Sequence, residues 1–169
     1  SLVGTMNPEE GALRPQLLDR FGLYMDMKAE QDPAVRAQIL RTVLRFDAER
    51  NRDNSNWLDQ GRRQDNQQAE FIKTAKRNAA FIEPADDIVE LCAAVAAKFG
   101  VVGHRAEIVM AQAACASAAL DGRSRPTPYD VSLVAPHAVM HRRRNAAYTE
   151  TFEWTQDDQH LLAQVIAAA

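Results

Sequence analysis

The chain has 169 residues, 46% of them hydrophobic and 25% charged, with a formal net charge of −3. That length holds one domain and part of a second, with enough apolar content for a sizeable core. The acidic balance argues against a chain built chiefly to coat nucleic acid. No apolar run approaches the ~20 residues a bilayer span requires, and no signal-peptide pattern is present, so no membrane partner and a cytoplasmic location are expected.

The opening residues SLVGT are a short apolar run suited to a buried strand, and GLYMDM sets Leu23, Met25 and Met27 against Tyr24 and Asp26 as a second strand would. Between them Pro15 suits the first turn of a helix and Gly22 its end. Two strands and one helix cannot close a sheet layer, so residues 1–28 are expected to be the truncated remnant of a larger α/β core.

From Asp32 the period becomes helical: Asp32 can cap, Pro33 opens the helix, and Val35, Ile39, Val43 and Phe46 recur on one face. Residues 50–68 are almost wholly polar, predicting a solvated hairpin tip or loop anchored by Trp57. Helical character returns at Phe71, Ile72, Ala75 and Ala79. Pro84, Asp86 and Asp87 start the next helix, whose Ile88, Leu91, Cys92, Val95 and Phe99 make a core stripe closed by Gly100. A long helix with a small-residue face, Ala111 to Ala119, ends at Gly122. Thr127, Pro128 and Asp130 form a capping-box start to another, with Val131, Val134, Ala135 and Ala138 facing inward. After Arg144 the tail is polar until Leu161, Leu162, Val165 and Ile166 suggest one more amphipathic helix. The fold class expected is mainly α: a helical bundle over residues 29–144, preceded by the α/β remnant 1–28 and followed by a tail, 145–169.

Cys92 and Cys115 lie in Ala-rich segments without CxxC spacing and read as buried thiols of a reducing compartment. His137 and His141 stand four apart on one helix face, a spacing that can hold Zn²⁺. The segment lacks the Glu of HExxH and has no third ligand near in sequence, so no metal is expected there. Arg142, Arg143 and Arg144, with Arg123 and Arg125, form a basic cluster that reads as a solvated helix end, with nucleic-acid or subunit contact as the lesser alternative.

LVGTMNPEEGALRPQLLDRFGL and the later GHRAEIVMAQAACASAALDGRSRPTPYDV with its HRRR together resemble the AAA+ ATPases, most closely the magnesium-chelatase I-subunit family. The resemblance implies an AAA+ core segment followed by that family's helical lid. It implies Asn7 as sensor 1, holding the attacking water by its amide, and Arg20 as the arginine finger, opposing charge at a neighbour's γ-phosphate. It implies Arg105 as sensor 2, coupling lid position to phosphate. The plainer alternatives are an Asn-Pro turn at Asn7, a helix-end cation at Arg20, and a surface pairing of Arg105 with Glu107 or Asp121. His104 reads as a packing or capping residue, Arg14 as a surface residue, and Asp19 either as orienting Arg20 or as solvated.

No GxxxxGK[ST] motif and no strand ending in Asp-Glu occurs, so ATP and Mg²⁺ are expected only for a full-length parent, with no cofactor and no hydrolysis for this chain alone. The partners implied are a homo-oligomeric ring and chelatase subunits of the von Willebrand and porphyrin-binding types, together performing ATP-driven metal insertion into a porphyrin. The rivals are a MoxR-like remodelling ATPase, a non-enzymatic helical interaction module, and a helicase-like relative using the basic cluster on DNA.

Overall fold

The computed structural model describes residues 2–7, 14–52, 54–143 and 152–169. Ser1, Pro8, Arg144 and residues 145–151 of the expected tail lie outside them. The structure is mainly helical, in the order α1 (Pro15–Leu18), α2 (Pro33–Glu49), α3 (Asn56–Ala79), α4 (Asp86–Lys98), α5 (Arg105–Leu120), α6 (Pro128–Val139), a 3-10 turn (Met140–Arg142) and α7 (Gln156–Ala167). It divides into two compact units, one of residues 1–26 with 75–169 and one of residues 27–74.

Among the described residues no strand forms. Residues 2–7 and 23–27 carry no regular secondary structure, and Leu2, Val3, Leu23, Met25 and Met27 are exposed. An apolar alternation becomes a strand only when a neighbouring strand takes its backbone hydrogen bonds, and none is present. The backbone at Tyr24 bonds to a helix instead.

The 27–74 unit is a helical hairpin. Asp32 caps α2 by accepting from the Ala34 amide at 2.8 Å, and Pro33 supplies the first turn. The stripe Val35, Ile39, Val43 and Phe46 exists, but each member is exposed and α2 buries no residue. The polar stretch expected as a loop is corrected: α3 begins at Asn56. Its Gln, Arg, Glu, Lys and Ala content favours helix without a buried face, and pairs three apart support it, Arg62–Asp59 at 3.3 Å and Lys73–Glu70 at 2.6 Å. At the tip, buried Ser55 donates to Glu49 at 2.7 Å and accepts from the Leu58 amide at 3.2 Å, while the Arg45 guanidinium lies 4.9 Å over the Trp57 ring. Trp57 is therefore an anchor, as expected, but on a helix.

The other unit is a bundle of α4, α5, α6 and α7. Its core is Ile88, Leu91 and Val95 from α4, Met110 and Ala114 from α5, Val131, Ala135 and Ala138 from α6, and Leu162 from α7. Full burial of such an aliphatic side chain contributes roughly 1.5–3 kcal/mol. The alanines of α5, with Ala106, Ala114 and Ala118 fully covered, let it pack most extensively on α6. Two glycines stop helices in the left-handed conformation: Gly100 (φ 63°) after α4 and Gly122 (φ 70°) after α5. In each the following amide returns to the last turn, Val101 to Ala96 and Arg123 to Ala118. α7 opens with a reciprocal cap between Thr155 and Asp158, at 2.9 and 3.2 Å. Arg143 ties its approach down, pairing with Asp158 at 2.9 Å and lying over both Phe99 and Trp154.

Candidate functional site

A short junction on the bundle gathers two of the three residues singled out in the sequence. Leu18, buried, anchors the four-residue α1, and the chain then turns through Asp19 and Arg20, whose amide donates to Leu17 O at 3.0 Å. Arg20 is exposed, and its guanidinium makes no hydrogen bond or ion pair with any described residue. Asp19 beside it takes two arginines from the bundle. Arg105, the first residue of α5, donates to the Asp19 carbonyl at 3.0 Å and to its carboxylate at 2.8 Å. Arg142, from the 3-10 turn after α6, reaches the same carboxylate at 3.3 Å and the same carbonyl at 3.1 Å. The Asp19–Arg105 pair is half exposed on both sides, so it is worth little in stability and is open to exchange with another anion.

Arg142 was expected to be a solvated helix-end cation, and this is corrected. Its side chain is 1% exposed, and it donates to Gly22 O at 2.9 Å and to Phe21 O besides its contacts with Asp19. Burial pushes its pKa down, and the Asp19 carboxylate works against that; an arginine so paired keeps its charge. The two histidines serve the same segment. His137 Nδ1 lies 3.0 Å from Tyr24 O, and the Tyr24 amide donates to His137 O at 2.9 Å. His141 Nε2 lies 3.2 Å from Phe21 O. Since carbonyls only accept, each histidine presents an N–H on that nitrogen. Burial, followed by the Arg142 charge, drives the His141 pKa down to about 4, so His141 is neutral near pH 7. Among the described residues no group of three or more His, Cys, Asp and Glu could hold a metal ion.

The structure brings Arg105 to Asp19, the residue next to Arg20, whereas Asn7 sits exposed in the 2–7 segment. Arg105 does not pair with Glu107 or Asp121: His104 takes Glu107 at 2.9 Å, and Asp121 binds Arg123 at 2.8 Å. Arg123 also makes a two-pronged bond to buried Asp130, at 2.6 and 2.7 Å. Burial opposes ionisation of Asp130, but the bonds from Arg123, Ser117 and Thr127 prevail and hold its carboxyl below the ordinary range. Arg142 could have been found in the sequence: Val131, Ala135, Ala138 and Arg142 recur at spacings of four, three and four, the inward stripe of α6. A groove of about 600 Å³, lined by Ile82, Val89, Cys92, Ile108 and Cys115 among others, has no Lys or Arg in its wall and does not suit a phosphate.

Residues 89–164 match the AAA lid domain family. The chain is 36% identical, over 85% of its length, to magnesium-chelatase subunit ChlI-1 of Arabidopsis thaliana, of which it covers 33%. It is 35% identical, over 98% of its length, to the magnesium-chelatase subunit ChlI homolog of Methanocaldococcus jannaschii, covering 43% of that protein. An uncharacterized protein of Mycobacterium tuberculosis is 38% identical over 88% of the chain, which covers 23% of it. The chain spans less than half the length of each of these relatives. The helical bundle, the match over residues 89–164 and the similarity that runs through the Asp19 junction agree, and the chain is an AAA+ region of the magnesium-chelatase I-subunit type, like the C-terminal part of that subunit.

Proposed function

We propose that this chain is part of an AAA+ ATPase subunit that works in a homo-oligomeric ring, and that Arg20 and Arg105 serve its ATP hydrolysis. The observation that carries this is the junction itself: an exposed arginine bound by no described residue, Arg20, directly follows Asp19, whose carboxylate pairs with the half-exposed and exchangeable Arg105. Two cations so placed answer one polyanionic group. We take that group to be a bound triphosphate, which in the finger reading of Arg20 is held by a neighbouring subunit. Arg20 would then offer its planar fork to the γ-phosphate, opposing the charge that develops there in the transition state. Arg105 would leave Asp19 for a phosphate oxygen, which makes the lid sensitive to whether nucleotide is present. Asn7, as sensor 1, would hold the attacking water by its amide. Residues 29–144 would serve as the lid domain, with 1–28 belonging to the ATPase core. Mg²⁺ bound with ATP finds no fitting donor set among the described residues, and none of these steps depends on it.

By likeness to the chelatase subunits, the hydrolysis is assigned to driving Mg²⁺ insertion into a porphyrin by partner subunits of the von Willebrand and porphyrin-binding types. The test combines the ATPase subunit carrying this chain with those partners, porphyrin and ATP, and follows the fluorescence of the metallated porphyrin. ATP-dependent metallation, lost with Arg105→Ala, is expected. ATP hydrolysis without metallation would instead favour a MoxR-like ATPase remodelling another metalloprotein. Absence of both would leave a helical interaction module.

A further inference from the structure

We propose that Arg142 is the positioning residue for Arg20, holding the backbone on both sides of it so that the guanidinium is aimed before any phosphate arrives. This rests on Arg20 acting as the finger. Arg142 lies 120 to 123 residues away in sequence from its partners here, yet it bonds to the carbonyls of Asp19, Phe21 and Gly22, which bracket Arg20, and to the Asp19 carboxylate. The Arg20 side chain itself is bound by no described residue. A flexible cation on an unrestrained turn would sample many directions, whereas one on a fixed backbone samples few, and positioning of this kind accounts for a large part of phosphoryl-transfer catalysis. Alternatives within the segment are weaker. His141 gives one bond to Phe21, the pair of bonds between His137 and Tyr24 lies four residues away from Arg20, and Arg105 holds only Asp19.

The planar guanidinium is what allows the span. Its three nitrogens reach four carbonyls, those of Asp19, Phe21, Gly22 and Ala138, and a carboxylate from one buried position, and a lysine, a single point of charge on a flexible stem, cannot reproduce that fan. Arg142 also continues the inward face of α6, so a displacement of α6 within the bundle would be passed directly to the backbone that carries Arg20. A rigid link between lid and finger follows from one side chain.

Two measurements test this. In the wild-type chain, hydrogen exchange at the amides of Arg20, Phe21 and Tyr24 should be slowed to the range of α6; exchange at unstructured-peptide rates would mean that no clamp exists and would overturn the proposal. In the ATPase subunit, Arg142→Lys should lower kcat by about 10- to 100-fold, the cost of misplacing a reacting group by an ångström, while nucleotide Kd changes by less than about twofold. The double variant Arg142→Lys with Arg20→Ala should be no slower than Arg20→Ala alone, since a residue acting only through Arg20 has nothing left to position. Multiplying effects would show that Arg142 supports the fold generally, and a near-normal kcat for Arg142→Lys would show that it does not position Arg20. Near-normal turnover of Arg20→Ala itself would instead remove the finger assignment on which the proposal stands.

Discussion

Acid should loosen the bundle through His141, starting above the pH range in which Asp130 and Asp158 are protonated. His141 is buried at 5% exposure, and its pKa falls from the ordinary 6.5 to about 4 on folding, first through burial and then through the charge of Arg142. The folded state therefore refuses a proton that the unfolded chain accepts. Stability is greatest above about pH 6.5, falls as pH drops, and levels off near pH 4, where the folded state takes the proton too. At about 1.4 kcal/mol per pH unit the whole window is worth ~3 kcal/mol, and the step from pH 7 to pH 5 roughly 2 kcal/mol. Asp130 and Asp158 sit below their ordinary value of 3.8, so their stabilising ionisation is lost only under more acid conditions. Urea denaturation followed by far-UV circular dichroism, at pH 7 and pH 5, measures the difference directly. His141→Gln can still donate to Phe21 O but cannot titrate, so its pH 7 to pH 5 difference should shrink to less than about 0.5 kcal/mol. Equal wild-type stability at the two pH values, or an undiminished loss in the Gln variant, would refute the assignment.

Leu162 is the fully buried residue by which α7 joins the core, and Leu162→Ala should cost about 2–5 kcal/mol in the same urea assay; a cost below ~1 kcal/mol would mean that α7 is not docked. Asp130→Ala should destabilise the chain at pH 7, because it removes the acceptor of the Arg123 fork and of the Thr127 amide together; unchanged denaturation would show that the pair is incidental. Burial pushes the Cys92 thiol up to about 11 and raises that of Cys115 as well, so neither should react with a thiol reagent at pH 8 until urea unfolds the chain. Rapid labelling of the native chain would contradict that burial.

The bundle is legible in the sequence where local chemistry and long-range packing agree. Gly100 and Gly122 mark helix ends because only a residue without a Cβ turns left-handed cheaply there, and Thr127–Pro128–Asp130 marks a start because each residue suits its place in the first turn. The first half of α3, residues 56–68, is not legible. Its polarity reads as loop, while the helix is upheld by propensity and pairs along its own surface, which leave no apolar period to find. The strand expectation at Leu2–Val3 and Leu23–Met27 fails for the opposite reason: the period is present but no partner strand is. At the junction, Arg20 and Arg105 stand in recognisable motifs, yet the pairing of Arg105 with Asp19 bridges 86 residues and has no local signature. Arg142 is hidden by composition. Three arginines in a row read as solvated charge, and only its register with Val131, Ala135 and Ala138 points it inward.

The account turns on whether Arg20 completes a neighbour's ATP site. In the ATPase subunit carrying this chain, Arg20→Ala should reduce ATP turnover by ~10³-fold or more with nucleotide binding nearly unchanged, and Arg20→Lys should also fail for want of the planar fork. Mixing the Arg20→Ala subunit with one whose phosphate loop is inactivated then gives the decisive reading. Mixed rings contain interfaces where an intact phosphate loop faces an intact Arg20, so turnover should recover above that of either variant alone. Near-normal turnover by Arg20→Ala on its own, or no recovery in rings shown to be mixed, would contradict the account.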